Sequence, residues 1–508
     1  MLAAFVFAFL FHSTVDTPIQ NRIRGWLKGK GTALLKAQPA PARSTAAPPL
    51  TDARATLPFP PPARGSGRRG LYVPIHVKFT FALCLAIAWT ALSICLSLRW
   101  LDDLGQIVSP PVALTIIAFI AYVPGFMNTF MLSSILLDRR PPHVAPAVYP
   151  PVSILVACYN EAQNIGDTLS SLARQDYPGT FEIIVLDDGS TDESLLVAAR
   201  MIGRLRPRSR GTFRLVNFAV NAGKSSVLNR GLKVATHELI VTVDGDCWLR
   251  DDALRRIVER KLADPVGTEA VAGAVLVRNS RRNLLTKAQE WDYFHGIAAV
   301  KRMQSMFHGT LVAQGAFSLY TRRALNSVGG WPECVGEDIV VTWALLRKGY
   351  RVGYAEDALV FTNVPHEFRQ FANQRRRWSR GLIEAFSAHW PLLFKWRLST
   401  LFIWWNLFFL PLDLIYTFAF IPGLILALFG LYWIAGPMTL AVLPLAAVWN
   451  GFIFRVQRRM FREQGLRVRR NGTGFLFYVF AYSLLMQPVC VSGYFAELAG
   501  LRKNWGTK

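Results

Sequence analysis

Long apolar runs bracket a central block in which short β-branched runs alternate with amphipathic stretches. At a rise of ~1.5 Å per residue, about 20 apolar residues span a bilayer. Phe79 to Leu98 and Val112 to Leu137 have that length ahead of the block. Behind it, Leu401 to Ile434 is too long for one straight span and short for two, while Pro437 to Phe454 and Phe475 to Leu498 each fit one crossing. The pattern predicts about five spans. Within the block, Val152 to Ala157, Glu182 to Leu186 and Leu239 to Val243 read as buried strands, and the segments beginning at Glu161, Asp192 and Ser225 as the helices between them. That alternation predicts an α/β domain, a mostly parallel sheet flanked by helices, inserted in an α-helical transmembrane bundle.

The domain boundaries follow from the same pattern. Residues 1–70 are a cytoplasmic basic, Pro-rich disordered tether, 71–140 an N-terminal transmembrane hairpin, 150–390 a cytoplasmic α/β domain with interfacial helices, 398–500 the C-terminal transmembrane helices and 501–508 a tail. Met1 to His12 is apolar but too short to span and lacks a basic flank, so it reads as an interfacial anchor or a loose start rather than a signal peptide.

The formal charge of +24 raises nucleic acid as a partner, but its placement excludes that reading. Arg22, Arg24, Lys28 and Lys30 precede the first span, and Arg455, Arg458, Arg459, Arg462, Arg467, Arg469 and Arg470 precede the last, as expected for loops held on the cytoplasmic side. Arg502, Lys503 and Lys508 favour that side too, whereas a single crossing at Phe475 to Leu498 sets the tail opposite the preceding loop; the charge pattern leaves this conflict open. The six cysteines show neither pairing nor metal-ligand spacing and read as free thiols.

Functional residues of such a sheet belong at the carboxyl ends of its strands. Asp187-Asp188-Gly189-Ser190 follows the second strand and Asp244-Gly245-Asp246 the third. Two acidic clusters there suit a nucleoside diphosphate bound through Mg²⁺ or Mn²⁺, which take hard oxygen ligands and retain places for diphosphate oxygens. Asp246 is the expected metal ligand with Asp244 beside it, and Asp187 and Asp188 are expected to accept hydrogen bonds from the nucleoside. Each cluster alone has an equally good structural explanation, the first as turn chemistry and the second as a loop that caps the helix starting near Asp251. Asn221 to Ser225 is no P-loop, because the first glycine of that pattern falls at Phe218. Lys224 still stands at a helix start, where backbone N–H groups favour an anion.

Displacement of a diphosphate by a hydroxyl needs a base for the attacking group and positive charge for the departing diphosphate. Asp338, in the pair Glu337-Asp338 that opens an amphipathic helix, is the expected base. Downstream, Gln374-Arg375-Arg376-Arg377-Trp378 offers Arg377 for phosphate, Gln374 for sugar or phosphate and Trp378 for an apolar sugar face. Arg375, Arg376 and Arg380 are expected to serve the membrane surface.

Asp187-Asp188, Asn221 to Lys224, Asp244 to Asp246, Gln314-Gly315 to Arg322, Gly336-Glu337-Asp338 and Gln374 to Trp378 together resemble the processive family-2 glycosyltransferases: cellulose, hyaluronan, chitin and poly-N-acetylglucosamine synthases. The resemblance covers about Val152 to Trp390 and extends to the flanking spans. It implies a GT-A fold, a UDP-sugar donor, a growing polysaccharide acceptor, inversion to β linkages, export through the same chain's membrane helices, and a bacterial cytoplasmic (inner) membrane setting with room for periplasmic or accessory export subunits. By carry-over, Asp188 is the uridine contact, Asp246 the metal ligand, Asp338 the base, and Trp378 the acceptor platform with Gln314, Gly315 and Glu337 on the acceptor side.

Val328 to Pro332 and Val364 to Arg369 are most similar to poly-N-acetylglucosamine and chitooligosaccharide synthases, which favours N-acetylglucosamine over glucose. Gly336, where threonine is common, departs from the pattern, and nothing resembles the cyclic-nucleotide module of bacterial cellulose synthases. Transfer of one sugar to a lipid is the alternative chemistry, and a transporter with a regulatory domain the non-enzymatic one. Two further stretches carry expectations. Asn406 and Asp413 share a helix face read as the polymer's exit path, with a helix cap near Pro411 as the alternative. Asn283 to Met306 reads as a helix beneath the bilayer or an ordinary domain helix.

Overall fold

The computed structural model describes residues 73–138, 145–463 and 465–502. The expectations for residues 1–70 and for the tail beyond residue 502 lie outside the described residues.

The central block forms one eight-stranded sheet: β1 (Val152–Cys158), β2 (Phe181–Asp187), β3 (Thr212–Asn217), β4 (Leu239–Asp244), β5 (Trp248–Leu249), β6 (Thr268–Val277), β7 (Phe317–Thr321) and β8 (Arg351–Thr362). Their order is β3-β2-β1-β4-β7-β6-β8-β5. The first four are parallel, β7 lies antiparallel to β4 and β6, β6 runs parallel to β8, and β5 pairs antiparallel to β8. β1 and β2 are apolar almost throughout because helices cover both faces of the sheet. Strand alternation sends Ile154, Val156, Ile183 and Val185 into one apolar layer and Leu155, Ile184 and Leu186 into the other. The three expected strands are present, each longer by one or two residues, and the expected helices start two to four residues later, at Ile165 and Ser194, or one earlier, at Lys224.

Register decides where the chemistry sits. Cys158 pairs with Asp187 and Ala157 with Asp244, so both acidic clusters leave the sheet at one edge.

Four helices among the described residues are long and apolar enough to cross a membrane: Ile75–Leu96, Pro110–Leu136, Thr400–Leu428 and Gly472–Leu498. The expected Leu401 to Ile434 zone thus holds a single helix, which is carried past Pro411 and through a π turn at Tyr416–Phe420 and ends at Leu428. The expected crossing at Pro437 to Phe454 is the first part of a 27-residue helix, Pro437–Glu463. Asp413 is buried and accepts from Tyr494 Oη at 2.8 Å, so it meets a partner helix rather than capping its own. Asn406 donates to Phe402 O within its helix at 2.9 Å.

Asn283 to Met306 holds the expected helix, continuous from Leu284 to Met306. Its α-helical parts, Leu284–Trp291 and Ala298–Met306, are joined through a π turn at Asp292–Ile297. This helix seats the α/β domain on the frame. Phe307 at its end lies 5.2 Å from Phe79, 5.9 Å from Phe130 and 5.9 Å from Phe402, centroid to centroid, joining three apolar helices. Trp291 Nε1 donates to Asn471 O at 2.9 Å, and Gln457 Nε2 donates to Phe294 O at 3.1 Å.

Candidate active site

The turn after β2 uses its two aspartates differently. Asp187 accepts from Ser190 N at 3.1 Å and Ser190 Oγ at 2.6 Å, which is turn chemistry. Asp188 reaches across to accept from Ala222 N at 2.9 Å and Gly223 N at 2.8 Å, and so shapes the loop that delivers Lys224. Both carboxylates are buried. Gly223, at φ 85°, takes the left-handed conformation that starts the helix Lys224–Val234.

Lys224 is where distant segments meet. Its ammonium pairs with Asp244 at the end of β4 and lies 3.6 Å from Glu337 Oε1. Burial works against its charge, but Asp244 and Glu337 outweigh burial and hold its pKa above the ordinary lysine value. Gly315 sits between these groups: a Cβ there would lie 2.6 Å from Lys224 Nζ and 3.4 Å from Glu337 Oε1. Burial raises the Glu337 carboxyl, and Lys224 opposes the shift.

Asp338 is half-buried beside them. It accepts from Ile339 N at 2.8 Å through one oxygen and from Gly315 N at 3.4 Å through the other. Thr342, one turn on, clamps the helix Glu337–Lys348 to the strand-edge segment: its hydroxyl donates to Asp338 O at 2.6 Å and accepts from Ala313 N at 2.9 Å. Gln314 donates to Gly273 O at 3.1 Å and accepts from the ammonium of Lys301. Lys301 was not among the expected site residues. It is buried on the Ala298–Met306 helix, and burial lowers its pKa to about 7 while the charge of Asp338 works the other way.

The Gln374 to Trp378 run lies on the helix Phe368–His389, which crosses the start of the Asp338 helix at two glycines. A Cβ on Gly336 would lie 2.5 Å from Gly381 Cα, and one on Gly381 2.7 Å from Gly336 Cα. Only glycine at both positions permits this approach, which accounts for Gly336 in place of threonine. Glu384, one turn further, accepts from Val335 N at 3.2 Å and Gly336 N at 2.8 Å. Gln374 Oε1 is buried without a hydrogen-bond partner, Arg377 is close enough for its charge to act on Glu337, and Trp378 is 39% exposed. Arg375 and Arg380, expected at the membrane surface, are buried instead. Arg375 pairs with Asp292 and Arg380 with Glu497, while Arg376 donates to Ser492 Oγ at 3.1 Å. Charge alone did not reveal this, because the acidic partners lie on segments remote in sequence.

Asp246 accepts from Thr362 Oγ1 at 3.2 Å. Burial, reinforced by the charges of Asp244 and Glu161, raises its pKa to about 6. Among the described residues no group of three or more His, Cys, Asp or Glu could hold a metal by itself. Converging carboxylates with too few ligands for a closed cage fit a hard divalent cation that takes its remaining ligands from a diphosphate.

Residues 153–329 match the profile of Glycosyl transferase family 2. The chain is similar to the poly-beta-1,6-N-acetyl-D-glucosamine synthase of Staphylococcus epidermidis, 34% identical over 250 residues, covering 49% of this chain and 58% of that protein. The synthase of Staphylococcus aureus (strain COL) is 33% identical over 231 residues, covering 45% of this chain and 54% of that protein. The chain therefore spans a little over half the length of these curated relatives. Among solved structures, the mannosyltransferase PcManGT from Pyrobaculum calidifontis, in complex with GDP-Man and Mn²⁺, superposes with a TM-score of 0.52 at 21% identity, covering 76% of this chain and 98% of that one. The likeness shows the fold, which is of the GT-A type.

Proposed function

We propose, from the premise that residues 153–329 belong to a family-2 glycosyltransferase domain, that this protein is a membrane-embedded inverting β-glycosyltransferase. It polymerises a UDP-sugar, UDP-N-acetylglucosamine before UDP-glucose, into an exopolysaccharide and exports it through its own apolar helices. The observation that carries this reading is the convergence of Lys224, Asp244, Gly315, Glu337 and Asp338, drawn from four separate segments, at one place on the sheet edge.

Each residue then has a role. Asp187 and Asp188 build the nucleoside wall, the first through its turn and the second through the Asn221 to Lys224 loop. Lys224, Gln374 and Arg377 face the donor, with the unpartnered Gln374 oxygen awaiting a ligand donor. Asp246 and Asp244 would hold Mg²⁺ or Mn²⁺. The bound cation would supply positive charge to the departing diphosphate. Asp338 takes the proton of the acceptor hydroxyl as its oxygen attacks the anomeric carbon and the bond to the diphosphate breaks, releasing UDP. Gln314, Gly315 and Glu337 line the acceptor side, and Trp378 stacks on the acceptor sugar. The similarity to poly-N-acetylglucosamine synthases supports the choice of donor.

UDP release by purified protein in nanodiscs tests this, with each donor offered separately. Turnover is expected with UDP-N-acetylglucosamine and Mn²⁺ or Mg²⁺, and is expected to vanish on chelation. Asp338→Asn should lower it by about a hundredfold or more, the scale of a lost general base. Preference for UDP-glucose would make the product a β-glucan. Turnover unaffected by Asp338→Asn would remove the assignment of the base.

A further inference from the structure

Trp378 presents 39% of its surface, and a tryptophan that open to solvent is not fixed by packing alone. What fixes it is the guanidinium one turn earlier. The Arg375 guanidinium carbon lies 4.2 Å from the centroid of the Trp378 ring, a close cation–π contact. On the helix, Phe371, Arg375 and Trp378 share one face at spacings of four and three residues. The same guanidinium lies 5.2 Å from the ring of Phe371 and 5.9 Å from that of Tyr482. Arg375 is only 4% exposed. It therefore sits inside an aromatic cage, away from any lipid surface.

A buried cation needs a counter-charge. Asp292, in the π turn of the interfacial helix, supplies it at 2.7 Å, and Tyr482 Oη donates to the same carboxylate oxygen at 3.0 Å. Arg375 Nε and Nη2 have no aligned hydrogen-bond acceptor, so the guanidinium is placed for stacking and charge pairing. Three elements meet on this one side chain: the Trp378 helix, the π turn and the last apolar helix. Tyr293, next to Asp292, holds the indole on another side with ring centroids 6.2 Å apart.

We propose that Arg375 is a positioning residue for the acceptor. It sets the plane of Trp378 and, through Asp292 and Tyr482, ties that plane to the last apolar helix. The inference rests on the reading of Trp378 as the acceptor platform. Arg377, two residues on, faces the donor, so neighbouring arginines of one motif divide between holding the acceptor platform and holding the diphosphate.

A double-mutant cycle tests it in full-length protein in nanodiscs, following UDP release while a short β-linked N-acetylglucosamine oligosaccharide and UDP-N-acetylglucosamine are titrated in turn. Arg375→Gln is expected to raise the KM for the oligosaccharide by about tenfold while leaving that for the donor within about twofold. Trp378→Leu should do at least as much, and the double variant should be no worse than Trp378→Leu alone. Arg375→Lys, which keeps a cation over the ring and against Asp292, should recover part of the loss. Asp292→Asn approaches the same link from its other end and should shift the same constant, again with no added effect when Trp378 is leucine. Losses that multiply in the double variants, or a shift in donor rather than acceptor KM, would overturn the inference and leave the platform standing. An unchanged acceptor KM in Trp378→Leu would remove the platform itself, and this inference with it.

Discussion

Lys301 is a buried ammonium that donates to Gln314 and lies within reach of the charge of Asp338. Burial lowers its pKa to about 7, against 10.5 for an ordinary lysine, so the folded protein binds this proton less tightly than the unfolded chain does. Stability then rises with pH between those two values, and the cost of charging Lys301 is felt in full below the lower one. Lys301→Met removes that cost. The difference in thermal unfolding midpoint, variant minus parent, is expected to be more positive at about pH 7 than at about pH 10. A difference that does not change with pH would show that Lys301 is not held in a charge-disfavouring site. Sequence reasoning could have found this residue, since Lys301 falls on the apolar face set by Phe294, Ile297 and Ala298. It could not have found Arg375, because a run of three arginines does not say which of them has an acidic partner, and Asp292 lies in a different segment. Motif spacing singled out Lys224, Asp244, Glu337 and Asp338 in advance, and the structure brings these four together.

At the scale of elements, two helices meet where neither has a side chain. Gly336 and Gly381 let the Asp338 helix and the Trp378 helix cross backbone to backbone, with Glu384 accepting from the N–H groups of Val335 and Gly336. Gly381→Ala places a methyl group against main-chain atoms that cannot rotate away, so the helices must part. Overpacking of this kind costs about 1–3 kcal/mol. The unfolding midpoint should fall, and UDP release should fall further than stability alone explains, because Asp338 and Trp378, the proposed base and platform, separate. Wild-type turnover in Gly381→Ala would show that the crossing does not set their spacing. Strands β1, β2 and β4 were legible because they are continuous β-branched runs. β3 was missed because it is the outer strand, with Thr212, Arg214 and Asn217 breaking the apolar run. β6 was missed because Ala270, Ala272, Gly273 and Ala274 give it little β character, and it is a strand through burial on both faces. The interfacial segment is one helix as its spacing predicts, while nothing in its periodicity marks the π turn at Asp292–Ile297.

At the scale of the whole molecule, the apolar layer on one face of the sheet runs without interruption into the helices of the frame through Phe79, Phe130, Phe307 and Phe402. The last apolar helix is tied to the α/β domain at both ends: Asn471 donates to Lys287 O at 2.9 Å, and Arg380 donates to Leu501 O at 2.6 Å. A site built this way places Trp378, the proposed acceptor platform, on a helix packed against the apolar helices proposed to carry the product away. Repeated addition to one bound chain is the central claim. Its most direct test is the length distribution of product made by purified protein in nanodiscs from labelled UDP-N-acetylglucosamine, with primer in large excess over enzyme and only a small fraction of donor consumed. Long chains beside untouched primer are the expected result. Primer extended uniformly by one or a few sugars would contradict it and make the protein a non-processive transferase.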